Sequence, residues 1–410
     1  MALIRGIELN NTVSIEKKNI LDISFTGEKL YFLAFVLYFT SAFMITTTYL
    51  EFISFHWLNY ISYIAIGLLA GKMFLFDSYT RTQIITYIVV IASSLITWIS
   101  TNTSLGFISV MFILAARGVN FKKIVYWYFV LGTIFMIFAF VSSQFGIIKN
   151  LIYHRSGTTR QSFGIIYPTD FAAHVFFLIL AYCYLWFKKL NVISYCSFFL
   201  IALLIIHYCD ARLDALCILL VIPVMFIAKH ADKESKLGVK LSAVYWISIP
   251  FMSVLVLLAT YFFDWNNKLF QKANNLFSSR LSLSNEGFTN YGFSWFGKPI
   301  VEHGWGGLAG SKAYSGSSST MKYFMLDSSI VRIFIVYGTL FSVVLLFALA
   351  VRSITQLKEK NYVFTAIILL VMVSSVVDQH LIDLAYNPFL IGICAMFTHE
   401  VTNKINIKKL

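Results

Sequence analysis

Five arginines stand beside apolar stretches of this sequence, where a positive charge needs a partner. They are Arg155, Arg160, Arg212, Arg280 and Arg332. Charged side chains close to hydrocarbon are costly and commonly functional. A guanidinium donates planar, bidentate hydrogen bonds to phosphate oxygens and keeps its charge. The arginines therefore predict a site for a phosphate-bearing ligand, although head-group contacts or local ion pairs would also explain any one of them.

The composition predicts the elements that must position these arginines. The chain of 410 residues is 59% hydrophobic and 12% charged, whereas soluble domains carry about 25% charged residues. Its mean hydropathy is +0.76. We expect an all-α, polytopic membrane protein forming a single integral domain over 1–410. Its twelve predicted spans are 30–49, 57–75, 83–100, 104–116, 124–145, 164–187, 194–209, 213–228, 244–263, 329–351, 362–377 and 383–398.

The basic residues predict the orientation of these spans. Most lysines fall on the cytoplasmic side if both termini are cytoplasmic, as the positive-inside rule requires. The same rule accounts for the net charge of +13 without a nucleic-acid partner. The five arginines are then exceptions on the outer side. The outer side also holds two substantial loops, 146–163 and 264–328.

The loop 264–328 is long enough to be functional. Residues 267–281 carry apolar side chains at helical spacing, which indicates an amphipathic helix lying on the membrane surface. The glycine- and serine-rich stretch 303–316 predicts a mobile segment.

A reaction on the outer face has neither ATP nor nucleotide sugars available, so its substrate must supply the energy. A lipid-linked pyrophosphate sugar does so through its leaving group. We expect Arg160, Arg212 and Arg280 to stabilise the charge that develops on the pyrophosphate. Arg155 and Asp327 are predicted to bind substrate. The predicted sugar-binding aromatic residues include Trp305 and Tyr323.

The acceptor hydroxyl needs a general base. His303 in the large loop is the favoured candidate, with Glu286 and Asp327 as rivals. Asp327 could instead cap the helix that starts at Ser328. The outer cluster at 378–383, with Asp378, His380 and Asp383, could line the same cavity or form a polar turn.

Pro168 and Asp170 have a structural interpretation. Proline suits the first position of a helix, and a carboxylate in the first turn is stabilised by the helix dipole. We therefore expect a helix to begin at Pro168. The sequence has no Asp-x-Asp near an outer surface and no CxxC, so neither a metal nor a cofactor is predicted.

Three groups of motifs carry a resemblance to a known family. The first runs from Arg160-Gln-Ser-Phe-Gly to Tyr-Pro168-Thr-Asp-Phe, and the second is Cys209-Asp-Ala-Arg212-Leu. The third combines Arg280-Leu and Phe296-Gly with Tyr323-Phe-Met-Leu-Asp327 and Val336-Tyr-Gly. Together with the topology, they resemble the Wzy-type repeat-unit polymerases of surface polysaccharides, which are related to the O-antigen ligases. Tyr167 and Asp170 depart from the histidine and asparagine common in that family.

The resemblance implies a metal-independent, inverting glycosyltransferase with a GT-C-like fold in a bacterial cell membrane. It would join undecaprenyl-pyrophosphate-linked repeat units into capsular, exopolysaccharide or O-antigen chains. The partners implied are the lipid-linked oligosaccharide, membrane lipid and a chain-length regulator. A ligase that transfers glycan to another acceptor, and a flippase or transporter of lipid-linked sugars, stay open as alternatives.

Overall fold

The computed structural model describes residues 26–155, 157–315 and 322–397, and this part of the chain is almost entirely helical. The longer helices are α1 Gly27–Ile45, α2 Phe55–Leu75, α3 Arg81–Thr101, α4 Leu105–Ala115, α5 Phe121–Gln144, α6 Pro168–Leu185, α7 Val192–Cys209, α8 Arg212–Asp232, α9 Lys236–Ala243, α10 Ser248–Tyr261, α11 Lys268–Leu276, α12 Arg280–Tyr291, α13 Gly307–Ser315, α15 Thr339–Lys358 and α16 Tyr362–Val377; the single turn α14 Ser329–Arg332 precedes α15.

Within the described ranges, nine helical segments are long and apolar enough to cross a membrane. They are α1, α2, α3, α5, α6, α7, α8, α15 and the segment Lys236–Tyr261, which joins α9 to α10. Length and composition are the criteria for this assignment. The chain is therefore a helical, polytopic membrane protein, and the count of twelve spans stays a prediction.

The two short apolar helices lie at the centre of the bundle. All of α4 except Leu105 is buried, and most of α16 is buried as well. Both are apolar on every face, as expected for helices enclosed by others. The long helices α2, α3 and α7 instead expose many large apolar side chains.

The predicted helix start at Pro168 is confirmed, since α6 begins there with proline in its first turn. The loop 146–163, in contrast, contains a β-hairpin that was not predicted. Strand β1 (Ile152–Arg155) pairs antiparallel with β2 (Thr158–Gln161). Tyr153 stands opposite Arg160 in the register, so the hairpin fixes where the Arg160 side chain can reach.

The twelfth predicted span was wrong as a long helix. Residues 383–397 contain only a short 3₁₀ helix, Phe389–Ile393, and most of them are buried. Side chains satisfy the irregular backbone there: Asn387 Oδ1 accepts from Phe389 N, and Asn387 Nδ2 donates to the carbonyl of Leu381. Non-helical backbone is tolerated at this depth because protein surrounds it.

The predicted surface helix over 267–281 is two helices. α11 and α12 are separated at Ser278 and Ser279, which have φ of 52° and 68°. These left-handed residues end one helix and redirect the chain into the next. Within the stretch 303–316 that was predicted to be mobile, residues 307–315 form α13, residues 303–306 are non-helical, and residue 316 lies outside the described residues.

The predicted span 329–351 is interrupted at Gly338. α14 continues into a π-helical turn, Ile333–Tyr337, and α15 begins after Gly338, whose φ is 91° and ψ 160°. A Cβ at Gly338 would lie 2.6 Å from the carbonyl oxygen of Trp295. Only glycine fits this backbone conformation and this close approach.

Replacing Gly338 by alanine is expected to destabilise the fold by more than the ~1–3 kcal/mol that this sparsely populated backbone conformation alone costs. Thermal unfolding of the detergent-purified protein measures this. The matched control is Gly67→Ala, because Gly67 lies within α2 with open space around it. Equal melting temperatures for the two variants would contradict the close-packing interpretation.

Candidate functional site

One cavity of about 540 Å³ collects four of the five arginines singled out in the sequence. Arg155 and Arg160 come from the β-hairpin, while Arg212 and Arg280 begin α8 and α12. The remaining wall comes largely from 302–314, from 323–327 and from the start of α6. This cavity is called the arginine chamber below. It assembles segments that lie far apart in the sequence.

Asp210 holds two of the arginines together. Its Oδ2 accepts from Arg155 at 2.7 Å, and its Oδ1 accepts from Arg212 Nε at 2.8 Å. Asp210 has a left-handed backbone between α7 and α8. Burial opposes ionisation of this carboxyl, but the two guanidinium groups outweigh it and lower the pKa of Asp210. The carboxylate of Asp210 thus holds both Arg155 and Arg212 at the wall of the chamber.

Arg160 is the most buried of the chamber arginines, at 3% exposure. Its Nε donates to the carbonyl of Cys209 at 2.9 Å, and its guanidinium lies 5.3 Å from the ring centre of Tyr167. Among the described residues, no carboxylate oxygen lies within 4.0 Å of it. A buried cation with hydrogen bonds but no ionic partner favours an anionic ligand.

Arg280 sits at the start of α12 and ties three segments together. Its Nε donates to the carbonyl of Val377 and lies 3.6 Å from Asp327 Oδ2. Its terminal nitrogen is 4.0 Å from Asp378 Oδ1. The two carboxylates offset the cost of burying this guanidinium, and the distances leave the ion pairs loose enough for a competing anion.

The environment of Asp327 makes it responsive to pH. Burial raises its pKa to about 6, although Arg280 opposes the rise, and the neighbouring charge of Asp378 adds to it. Asp327 does not cap the helix that follows, since Ser328 occupies the N-cap of α14. Its carboxyl instead lines the arginine chamber beside Arg280.

Aromatic rings form one wall of the chamber. Trp305 and Tyr323 are stacked, with ring centres 5.6 Å apart and an interplanar angle of 23°. Tyr314 packs edge-on against Trp305 at 5.7 Å. Tyr153 of the hairpin donates to the carbonyl of Trp305 at 2.8 Å and so attaches this wall to the hairpin. The wall combines flat apolar faces with hydroxyl groups, as sugar binding requires.

Three residues singled out in the sequence, His303, Arg332 and Glu286, do not line the chamber. His303 pairs through its backbone with Phe324, accepting and donating one hydrogen bond each, and is absent from the lining. Arg332 donates two hydrogen bonds to Glu302, at 2.8 and 2.7 Å. The rival base Glu286 forms an ion pair with Lys322. The structure therefore places neither His303 nor Glu286 where a chamber ligand would react.

Four acidic residues that were not predicted to act in the chamber also line it: Asp170, Asp210, Asp214 and Glu302. Asp214 is 1% exposed, and neither of its carboxyl oxygens has a hydrogen-bond partner among the described residues. A buried acceptor without a donor is costly. The position of Asp214 in the run Asp-Ala-Arg-Leu-Asp, which contains Arg212, is the sequence feature that could have indicated its place in the chamber.

A second cavity, of about 410 Å³, adjoins the arginine chamber. It lies between α8, α10, α11, α12 and α16, and its lining is almost entirely apolar. Leu213 and Arg280 line both cavities. The two spaces together suit a ligand with an anionic head and a long apolar tail.

In the part of the chain that the structure describes, no group of three or more His, Cys, Asp or Glu side chains is arranged to hold a metal ion. In comparisons with known proteins, no family model, no curated protein and no solved structure matches the chain. The fold and the cavities define a helical, membrane-embedded protein with a charged chamber beside an apolar one.

Lowering the pH through about 6 is expected to strengthen binding of a polyprenyl-pyrophosphoryl sugar, because Asp327 becomes neutral beside Arg280. Each phosphate of this probe has one strongly acidic oxygen, which is ionised throughout this pH range, so the charge of the probe stays constant. Two unit charges 4 Å apart interact by about 1 kcal/mol in water and by about 4 kcal/mol near a protein surface. Removing the repulsion between Asp327 and the probe therefore strengthens binding at least about fivefold. Equilibrium binding to the purified protein measures it.

Asp327→Asn should bind tightly at both pH values and flatten this dependence. The control is Asp264→Asn, because Asp264 is exposed in the loop before α11. An unchanged pH dependence in Asp327→Asn would show that another group controls binding.

Proposed function

We propose that the protein is a glycosyltransferase that joins lipid-linked oligosaccharide repeat units into a surface polysaccharide. The observation that carries the proposal is the convergence of four arginines on a chamber that opens beside an apolar cavity. A polyprenyl pyrophosphate has the matching parts, an anionic head and an apolar chain. The chemistry of the two cavities and the resemblance to the Wzy-type polymerases support the same substrate class.

The arginines would serve two stages of the reaction. In the resting site Asp210 pairs with Arg155 and Arg212, while Arg160 has no carboxylate partner within the described part of the chain. Arg160 and Arg280 would bind the pyrophosphate in the ground state. As the bond from the anomeric carbon to the phosphate oxygen breaks, negative charge grows on the leaving group. Fixed cations stabilise that charge without reorganisation.

The glycan would occupy the chamber beside its aromatic wall. Trp305 and Tyr323 offer flat faces to sugar rings. The hydroxyl groups of Tyr314 and Tyr323, which also line the chamber, would form hydrogen bonds with sugar hydroxyls. An oligosaccharide, which has both apolar ring faces and many hydroxyl groups, is thus compatible with the apolar and the polar parts of the chamber.

The proposed setting is a bacterial cell membrane, with both termini cytoplasmic and the chamber on the outer face. The positive-inside distribution of lysines supports this orientation. The glycan would come from, and grow upon, undecaprenyl pyrophosphate. Membrane lipid and a chain-length regulator are the further partners proposed.

A ligase of the same superfamily would use the same chamber with another acceptor, and analysis of the product separates the two. A flippase would place charges along a path between both faces of the membrane. The arginines gather instead in one chamber, which favours the enzyme. The decisive experiment incubates purified protein with synthetic undecaprenyl-pyrophosphate oligosaccharide. A ladder of products on a gel supports the polymerase.

Arg160→Lys is expected to lower turnover by about tenfold or more, because lysine keeps the charge but loses the planar fork that binds phosphate and the backbone of Cys209. The ladder assay measures the effect. The control is Arg81→Lys at the exposed start of α3. Wild-type turnover in Arg160→Lys would remove the main support for pyrophosphate binding at this arginine.

Ala259→Trp is expected to raise the KM for the full-length prenyl substrate several-fold, because Ala259 lines the apolar cavity. A short-chain analogue should be affected less, since it leaves the cavity largely empty. The matched control is Ala92→Trp, because Ala92 is exposed on α3. Equal effects on both chain lengths would place the prenyl chain elsewhere.

A further inference from the structure

Asp170, an acidic residue at the start of α6, contacts His380, which lies far away in the sequence. Asp170 lies in the first turn of α6 and lines the arginine chamber. Its Oδ1 is 3.5 Å from Nε2 of His380, which lies just beyond the end of α16. Both residues are buried, and 12% of the Asp170 side chain remains exposed. Asp170 thus faces the chamber on one side and an imidazole on the other.

The ring of His380 is itself fixed in place. It stacks on Tyr386, with ring centres 3.7 Å apart and an interplanar angle of 20°. Tyr386 stacks in turn on His174 at 3.9 Å, and Nε2 of His174 lies 3.0 Å from the hydroxyl of Thr46. Tyr386 is thus stacked between the two imidazoles and covers one face of the His380 ring. A buried imidazole packed in this way is a suitable support for a reactive carboxylate.

The charges around His380 favour its protonated form. Burial disfavours the imidazolium, but the carboxylates of Asp170, Asp378 and Asp383 outweigh burial and raise the pKa of His380. His174, across Tyr386, is the other titratable group packed close to it. A protonated His380 places a positive charge next to the carboxyl group of Asp170.

Each of the other acidic residues that line the chamber is either next to an arginine or inaccessible to a ligand. Asp210 gives one oxygen to each of two arginines, and Glu302 binds Arg332 with both oxygens. Asp327 lies beside Arg280, the cation expected to hold the leaving group. Asp214 is almost fully covered. Asp170 alone combines access to the chamber with a partner that is not an arginine.

We propose that Asp170, positioned by His380, is the base that accepts the proton of the acceptor sugar hydroxyl; this inference rests on the proposed function. The acceptor O–H bond breaks, and its proton passes to Asp170. The acceptor oxygen bonds to the anomeric carbon of the donor. The bond from that carbon to the pyrophosphate oxygen breaks, and its electron pair leaves on the pyrophosphate. Asp170 is the catalytic residue in this step, and His380 is a positioning residue.

The test uses the full-length protein in vesicles. The substrate is native lipid-linked oligosaccharide extracted from cells that lack the protein. A positioned general base contributes about two to four powers of ten in rate, so Asp170→Asn should lower kcat by that range. Binding of undecaprenyl pyrophosphate, measured in the same vesicles, should not weaken. Asp264→Asn is the matched control, since Asp264 is exposed and outside the chamber.

His380→Gln should lower kcat by about tenfold or more, as expected for a supporting partner. Its pH–rate profile should also lose the step that the titration of His380 contributes, because the imidazole is gone. His174, Asp214, Asp327, Asp378 and Asp383 are the nearby titratable groups and are present in every variant. His207→Gln, at an exposed position on α7, is the histidine control. An unmoved profile would overturn the positioning role.

Chemical rescue separates catalysis from folding. Added formate should restore part of the turnover of Asp170→Ala, because a small carboxylate can occupy the vacated space, whereas a misfolded variant would not respond. Wild-type turnover in Asp170→Asn, or no rescue of an Asp170→Ala protein that still binds undecaprenyl pyrophosphate, would overturn the inference alone. Absence of any product from the wild-type protein would overturn the proposed function and this inference together.

Discussion

The architecture of the site depends on compensating buried charge inside an apolar bundle. A guanidinium such as that of Arg280 can be placed among helices only if carboxylates and carbonyl groups surround it, since an unpaired buried ion costs several kcal/mol. Asp327, Asp378 and the carbonyl of Val377 meet this need. Each comes from a different segment. Satisfying one charge therefore fixes the start of α12, the entry to α14 and the end of α16 relative to one another.

The same constraint explains why irregular backbone surrounds the chamber. Residues of the hairpin and the left-handed residue Asp210 line the chamber. Helices leave their first donors and last acceptors free for ligands and side chains. α6, α8 and α12 begin at the chamber. Charged side chains and open helix ends thus gather in one place, with apolar helices α4 and α16 forming the rigid centre behind them.

The arrangement of charges separates two tasks in the proposed reaction. The arginines gather around the space where the head group of a lipid would lie, next to the apolar cavity. Asp170 approaches the same space from α6 and has a histidine behind it. Leaving-group stabilisation and proton removal need opposite charges. The arginines lie on the hairpin, α8 and α12, whereas the base lies on α6. This separation keeps the cations from neutralising the base.

The sequence by itself determined the membrane class, the start of α6 and the identity of the arginines that meet in the chamber. Hydropathy, proline and charge type act over a few neighbouring residues, so they can be read locally. Only the tertiary structure decided the partners: it excluded His303 from the lining, replaced the twelfth helix with satisfied irregular backbone, and joined Asp170 to His380. A side chain's partner depends on which distant segments pack together, and apolar helices that are alike on every face carry no pattern that specifies this packing.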